Sequence, residues 1–169
     1  MRHRRRSIRL PGYDYSQPGL YFVTICTQNK KCFFGKIENG IVHPNRYGKI
    51  ILEQWEWLEK QYPYIKLDMW ILMPDHLHAI IYIKHQNFTM DCCRGGSRTA
   101  PTSGGIKRKT LGRLIGAFKT ISTKHINHLR NSTGSKLWQR GYYERIIRNE
   151  REYYAIRKYI TDNPIYWDK

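Results

Sequence analysis

Acidic residues are scarce in this chain: 13 Asp and Glu stand against 30 Lys and Arg, a net charge of +17 over 169 residues. A surplus of that size repels itself in the folded state and is best matched by a polyanionic partner. Cysteine is sparse too. Cys26, Cys32, Cys92 and Cys93 form neither a Cys-x-x-Cys pair nor a disulfide ladder. That argues against a structural zinc site and for a reducing, cytoplasmic setting. No apolar run approaches the ~20 residues that span a bilayer, and Met1-Arg2-His3-Arg4-Arg5-Arg6 lacks the apolar stretch of a signal peptide. The expectation is a soluble protein with no membrane partner. A Gly-x-x-x-x-Gly-Lys-Ser/Thr loop is also missing, consistent with chemistry that needs no nucleotide cofactor.

What the chain does hold is aromatic: 13 Tyr, 5 Trp and 5 Phe on a cationic background. Exposed bases stack on such rings while phosphates meet Lys and Arg, a mixture suited to single-stranded nucleic acid. The length fits a single domain, 1–169. It carries a basic N-terminal arm, 1–12, with Arg4, Arg5, Arg6 and Arg9. A Gly/Arg-rich segment at 84–109 contains Gly95-Gly96 and Gly104-Gly105 and is expected to be a flexible loop. Arm and loop supply the candidate phosphate contacts: Arg4, Arg5, Arg6, Arg9, Lys107, Arg108 and Lys109. Arg113 and Lys119, on the helix that follows the loop, join them.

The most specific local signal is Met73-Pro74-Asp75-His76-Leu77-His78-Ala79-Ile80-Ile81. The β-branched and aromatic run after the histidines predicts a strand, with Pro74-Asp75 as the tight connection from the preceding strand at 65–73. Strand side chains alternate, so His76 and His78 share one face with Cβ atoms about 7 Å apart. Leu77, Ala79, Ile81 and Ile83 form the opposite, core face. Imidazoles so placed can converge on one metal ion.

Other elements are legible as well. Residues 21–27 predict a buried strand, and short strands flank Glu38-Asn39-Gly40. Helical periods run over 47–62 and from Leu111 to Leu129. An edge strand is expected over 142–148. Asn149 and Glu152 have the spacing of an N-cap and its N3 partner, and Pro164 stops the last helix after Asn163. Hairpins outnumber regular strand-helix-strand units, so the class is α+β, with a mainly antiparallel sheet and helices on one face. On the last helix Tyr159 and Asn163 are four residues apart and share a face. That spacing makes a phenol and an amide eligible partners for the histidines, and it fits an ordinary packing stripe equally well.

Several motifs together resemble one family. These are Met73-Pro74-Asp75-His76-Leu77-His78, Trp138-Gln139-Arg140, Tyr143-Glu144, Ile147-Arg148-Asn149 and Tyr159-Ile160-x-x-Asn163-Pro164, preceded by Arg5-Arg6-x-Ile8-Arg9-Leu10 and Tyr21-Phe22-Val23-Thr24. In order and spacing they are similar to the REP-associated tyrosine transposases, of the single-tyrosine HUH (His-hydrophobe-His) class. The likeness runs from about residue 5 to the C-terminus, excepting 84–109. It implies a ferredoxin-like sandwich in which His76, His78 and Asn163 bind a divalent metal, Mg2+ or Mn2+, and Tyr159 is the nucleophile. It also implies cleavage and rejoining of single-stranded DNA beside hairpins, by a monomer or a homodimer. The alternative is a non-catalytic protein that binds DNA or RNA hairpins, since charge alone does not separate the two.

Overall fold

Ala79, Ile80 and Ile81 are consecutive, apolar and fully buried. A strand buried on both faces is a strand covered on both faces, and that organises the molecule. The computed structural model describes residue 10, residues 12–85 and residues 108–167. Its strands are β1 (Gly19–Cys26), β2 (Gly35–Glu38), β3 (Ile41–Pro44), β4 (Ile65–Leu72), β5 (His76–Ile83) and β6 (Tyr143–Ile147). Its helices are α1 (Arg46–Gln61), α2 (Leu111–Leu129) and α3 (Glu150–Asp162). The main sheet has the order β4-β5-β1-β6 with every neighbour antiparallel. β2 and β3 form a separate hairpin inserted before α1. Without that insertion the chain reads β-α-β-β-α-β, the ferredoxin-like α+β sandwich that the resemblance implies.

One face of the sheet packs Val23, Ile25, Leu77, Ala79, Ile81 and Ile83 against Trp55 and Leu58 of α1 and Leu114 and Phe118 of α2. The other face packs Phe22 and Ile80 against Ile156 and Ile160 of α3. Only α1 and α2 therefore share a face; α3 lies on the opposite one, where helices on a single face were expected. The apolar stripe of α3 shows that it is half-buried, but not which side of the sheet buries it.

The ends of α3 are as its sequence predicts. Asn149 accepts the Glu152 backbone N–H at 2.8 Å. The Glu152 carboxylate returns the contact one residue early, to the Arg148 N–H at 3.0 Å, rather than to Asn149 itself. The hairpin between β4 and β5 also holds, closed by the Met73 N–H on the His76 carbonyl at 2.8 Å. β2 begins at Gly35 rather than at Cys32, because the Phe34 N–H already binds the Pro74 carbonyl, at 3.0 Å. Among the described residues, no helix is long and apolar enough to cross a membrane. Cys26 and Cys32 are free thiols.

Gly48 on α1 is where the helix meets the backbone of Phe34: a Cβ there would lie 2.2 Å from the Phe34 carbonyl oxygen. In an open helix interior Gly→Ala adds about 1 kcal/mol of stability. Gly48→Ala should instead lower stability by about 1–3 kcal/mol, the usual cost of overpacking. Urea unfolding checks the sign, and a stabilised variant would contradict this contact.

Candidate active site

β5 puts His76 and His78 on the α3 side of the sheet, and α3 brings Tyr159 to them. The two imidazoles meet edge to face with centroids 4.4 Å apart, and their Nε2 atoms are 2.9 Å apart. Their other nitrogens are engaged. His76 Nδ1 binds the carboxylate of Asp75, and His78 Nδ1 lies 2.8 Å from the hydroxyl of Thr24, its cross-strand partner on β1. A carboxylate only accepts, so His76 donates to Asp75 from Nδ1, and both Nε2 atoms turn toward each other.

A separation of 2.9 Å suits an N–H···N hydrogen bond between the rings, and it also leaves both nitrogens able to turn to one cation. Burial, and then the neighbouring His76, push the His78 imidazole down to about 3, so it is neutral at physiological pH. Neutral imidazole is the form that ligates. Among the described residues no group of three or more His, Cys, Asp or Glu could hold a metal. Among these residues a third protein ligand would have to be of another kind.

The Tyr159 hydroxyl is 3.3 Å from His78 Nε2. Its ring stands edge-on to His78, with centroids 5.1 Å apart, and to Phe22, at 6.1 Å. Phe22 in turn stacks on His78 at 5.6 Å, and Trp167 tilts over His76 at 5.8 Å. Aromatic walls thus hold the rings in place, while Tyr159 remains 50% exposed and open to a ligand. Asn163 follows one turn later and lines, with Tyr159, Lys158 and Tyr166, a depression of about 290 Å³. Among the described residues no hydrogen bond links Asn163 to either imidazole.

No site role was read from the sequence for Thr24, Asp75, Phe22 or Trp167, although the first three stand in the quoted motifs. Thr24 and Phe22 share the strand parity of the histidine face, and Asp75 directly precedes the pair; those were the available signals.

The candidate phosphate contacts divide. Arg4, Arg5, Arg6, Arg9 and Lys107 lie outside the described residues. Arg108 and Lys109 sit beyond the other end of β5, where the Arg108 guanidinium lies 5.7 Å over the Tyr64 ring and Lys109 Nζ donates to the Tyr62 hydroxyl at 2.8 Å. Strand rise puts that end about 23 Å from His76. Arg113 is exposed on the first turn of α2, in the layer away from α3. Lys119 donates to the carbonyls of Gln139 and Gly141 at 2.9 and 2.7 Å, and burial pushes its ammonium down to about 8. These bonds tie α2 to the lead-in of β6.

No family model matches the chain. An uncharacterized protein of Haemophilus influenzae is 38% identical over 169 residues, which cover 99% of this chain and 92% of that protein. Among solved structures, a REP-associated tyrosine transposase bound to a REP hairpin superposes with a TM-score of 0.60 at 14% identity, over 93% of this chain and 72% of that one.

Proposed function

Because the chain belongs to one family with the Haemophilus influenzae protein and shares the fold of a REP-associated tyrosine transposase, we propose that it cleaves and rejoins single-stranded DNA next to hairpins. The observation that carries this reading is the Tyr159 hydroxyl 3.3 Å from His78 Nε2. The charge of +17 would suit a non-catalytic hairpin-binding protein as well. A half-exposed phenol held beside the His78 imidazole nitrogen favours the catalytic reading over that of a binder.

In the proposed reaction the Tyr159 oxygen attacks a backbone phosphorus and an O–P bond forms. The bond from phosphorus to the 3′ oxygen breaks in line with it. The phenol proton leaves to water on the open side of the ring, and the departing oxygen takes a proton from water. The products are a 5′-phosphotyrosine and a free 3′-hydroxyl. Another 3′-hydroxyl reverses the step, and since one phosphoester replaces another, no nucleotide cofactor is consumed. A free phenol is only about 0.1% ionised at pH 7, so the attack needs help. His76 and His78 would hold a divalent ion, Mg2+ or Mn2+, with the Asn163 amide oxygen as third ligand; when bound, the ion polarises a phosphate oxygen. Asp75 and Thr24 keep the imidazoles turned for that task. Both halves of the site come from one chain, so the reading needs no partner subunit.

The test is incubation with labelled single-stranded hairpin DNA and Mn2+, then denaturing electrophoresis. A slow-migrating protein–DNA adduct is expected, and cleavage with no adduct would refute the tyrosine mechanism. Binding should also weaken with salt. For a charge of +17, the slope of log affinity against log salt should be about −0.7 for each single-strand phosphate neutralised. A titration from 50 to 300 mM salt that leaves affinity unchanged would remove the electrostatic part of this reading.

A further inference from the structure

Apolar contact is non-directional. Ile156 and Ile160 set the depth at which α3 sits on Phe22 and Ile80, but they do little to fix its rotation about its own axis. Directional contacts do that, and they come from β4. The Asp68 carboxylate accepts from Arg157 Nη1 at 3.0 and 2.9 Å and from the Tyr153 hydroxyl at 3.1 and 3.0 Å. Arg157 Nη1 also donates to the Tyr153 hydroxyl at 2.7 Å, closing a three-membered network. At 3.6 residues per turn, Tyr153 and Arg157 fall on one flank of α3, Ile156 and Ile160 in the middle, and Tyr159 on the other flank. The network and the tyrosine are thus opposite ends of one lever pivoting on the two isoleucines.

Asp68 stands at an irregularity in β4. Leu67 pairs with Ile81 and Met69 with Ile80, so Asp68 is an extra residue, a β-bulge. Leu67 packs with the α1–α2 core, whereas Met69 packs on the α3 side. Strict alternation would turn Met69 back toward the α1–α2 core; the bulge turns both Asp68 and Met69 to α3. A bulge that re-aims one side chain next to a functional site is a recurrent device.

We propose that Asp68 is a positioning residue: through Arg157 and Tyr153 it sets the rotation of α3 that places the Tyr159 hydroxyl at His78. The proposal rests on Tyr159 being the nucleophile. Misplacing a reacting atom by about 1 Å costs on the order of 10²-fold. Asp68→Ala should therefore lower kcat for adduct formation about 10–100-fold and leave the Kd for a REP-type hairpin DNA unchanged. Arg157→Ala, at a half-buried position, should do the same, and the double variant should be no worse than either. Asp68→Asn keeps the shape and an acceptor oxygen and should recover most of the rate. A merely structural role would lower kcat and binding together with the folded fraction, and it would not yield this split. The geometry is read without activity from a single 3-fluorotyrosine placed at 159, whose 19F resonance should move toward that of the free amino acid in Asp68→Ala and Arg157→Ala. Unchanged kcat together with an unchanged resonance would overturn the proposal. If the unsubstituted protein forms no adduct at all, the nucleophile reading falls. The resonance alone then decides whether Asp68 sets the helix: a shift supports it, and no shift overturns it.

Discussion

Tyr159→Phe is expected to abolish covalent attachment to DNA, a loss on the order of 10⁴-fold or more, as when the nucleophile of a covalent catalyst is removed. It should leave hairpin binding intact. The substitution deletes one oxygen and keeps the ring, so the edge-on contacts with His78 and Phe22 persist. Because the side chain is half-exposed, with its hydroxyl at the rim of the site, stability should change by no more than about 0.5 kcal/mol. Gel shift and denaturing electrophoresis on the same hairpin separate the two properties. A variant that still forms the adduct would move the nucleophile to another residue.

His78→Ala carries the second large effect. The imidazole is buried, stacked on Phe22 and bonded to Thr24. Its loss removes one of the two nitrogens that face each other across 2.9 Å. Altering even the groups that support a metal ligand costs 10–100-fold in affinity or activity. Removing the ligand itself should cost at least about 10²-fold in Mn2+ affinity, read by calorimetric titration, and a comparable factor in cleavage. His76→Ala should behave alike. Thr24→Val, which leaves both Nε2 atoms in place but frees the His78 ring to turn, should fall between these variants and the unsubstituted protein. Unchanged Mn2+ binding in His78→Ala would refute the assignment of the pair.

Much of this site was legible in the chain because strand parity is a strong constraint. His76 and His78 had to share a face once Leu77, Ala79 and Ile81 were assigned to the core, and the buried positions agree. The start of α3 was legible for the same kind of local reason: Asn149 and Glu152 cap within a few residues of each other. Long-range facts were not. Nothing in the stripe Tyr153, Ile156 and Ile160 says which side of the sheet it covers, although the unbroken run Ala79-Ile80-Ile81 hinted that both sides are covered. Lys119 reads as a surface cation until the carbonyls of Gln139 and Gly141 are seen to hold it. Asp68 is hidden for a different reason: a bulge breaks the alternation from which its direction would be read. The resemblance of motifs marked Tyr159 among 13 tyrosines. The fold then brought that residue, from 81 positions along the chain, to His78.

The most direct measurement is mass spectrometry of the protein trapped on single-stranded hairpin DNA with Mn2+ and digested with trypsin and nuclease. Cleavage after Lys158 releases the peptide 159–169, which contains both Tyr159 and Tyr166. The expected result is a residual 5′-phosphonucleotide on that peptide, with fragment ions that place it on Tyr159. A nucleotide on Tyr166 or on any other residue, or cleaved DNA with every peptide unmodified, would contradict it.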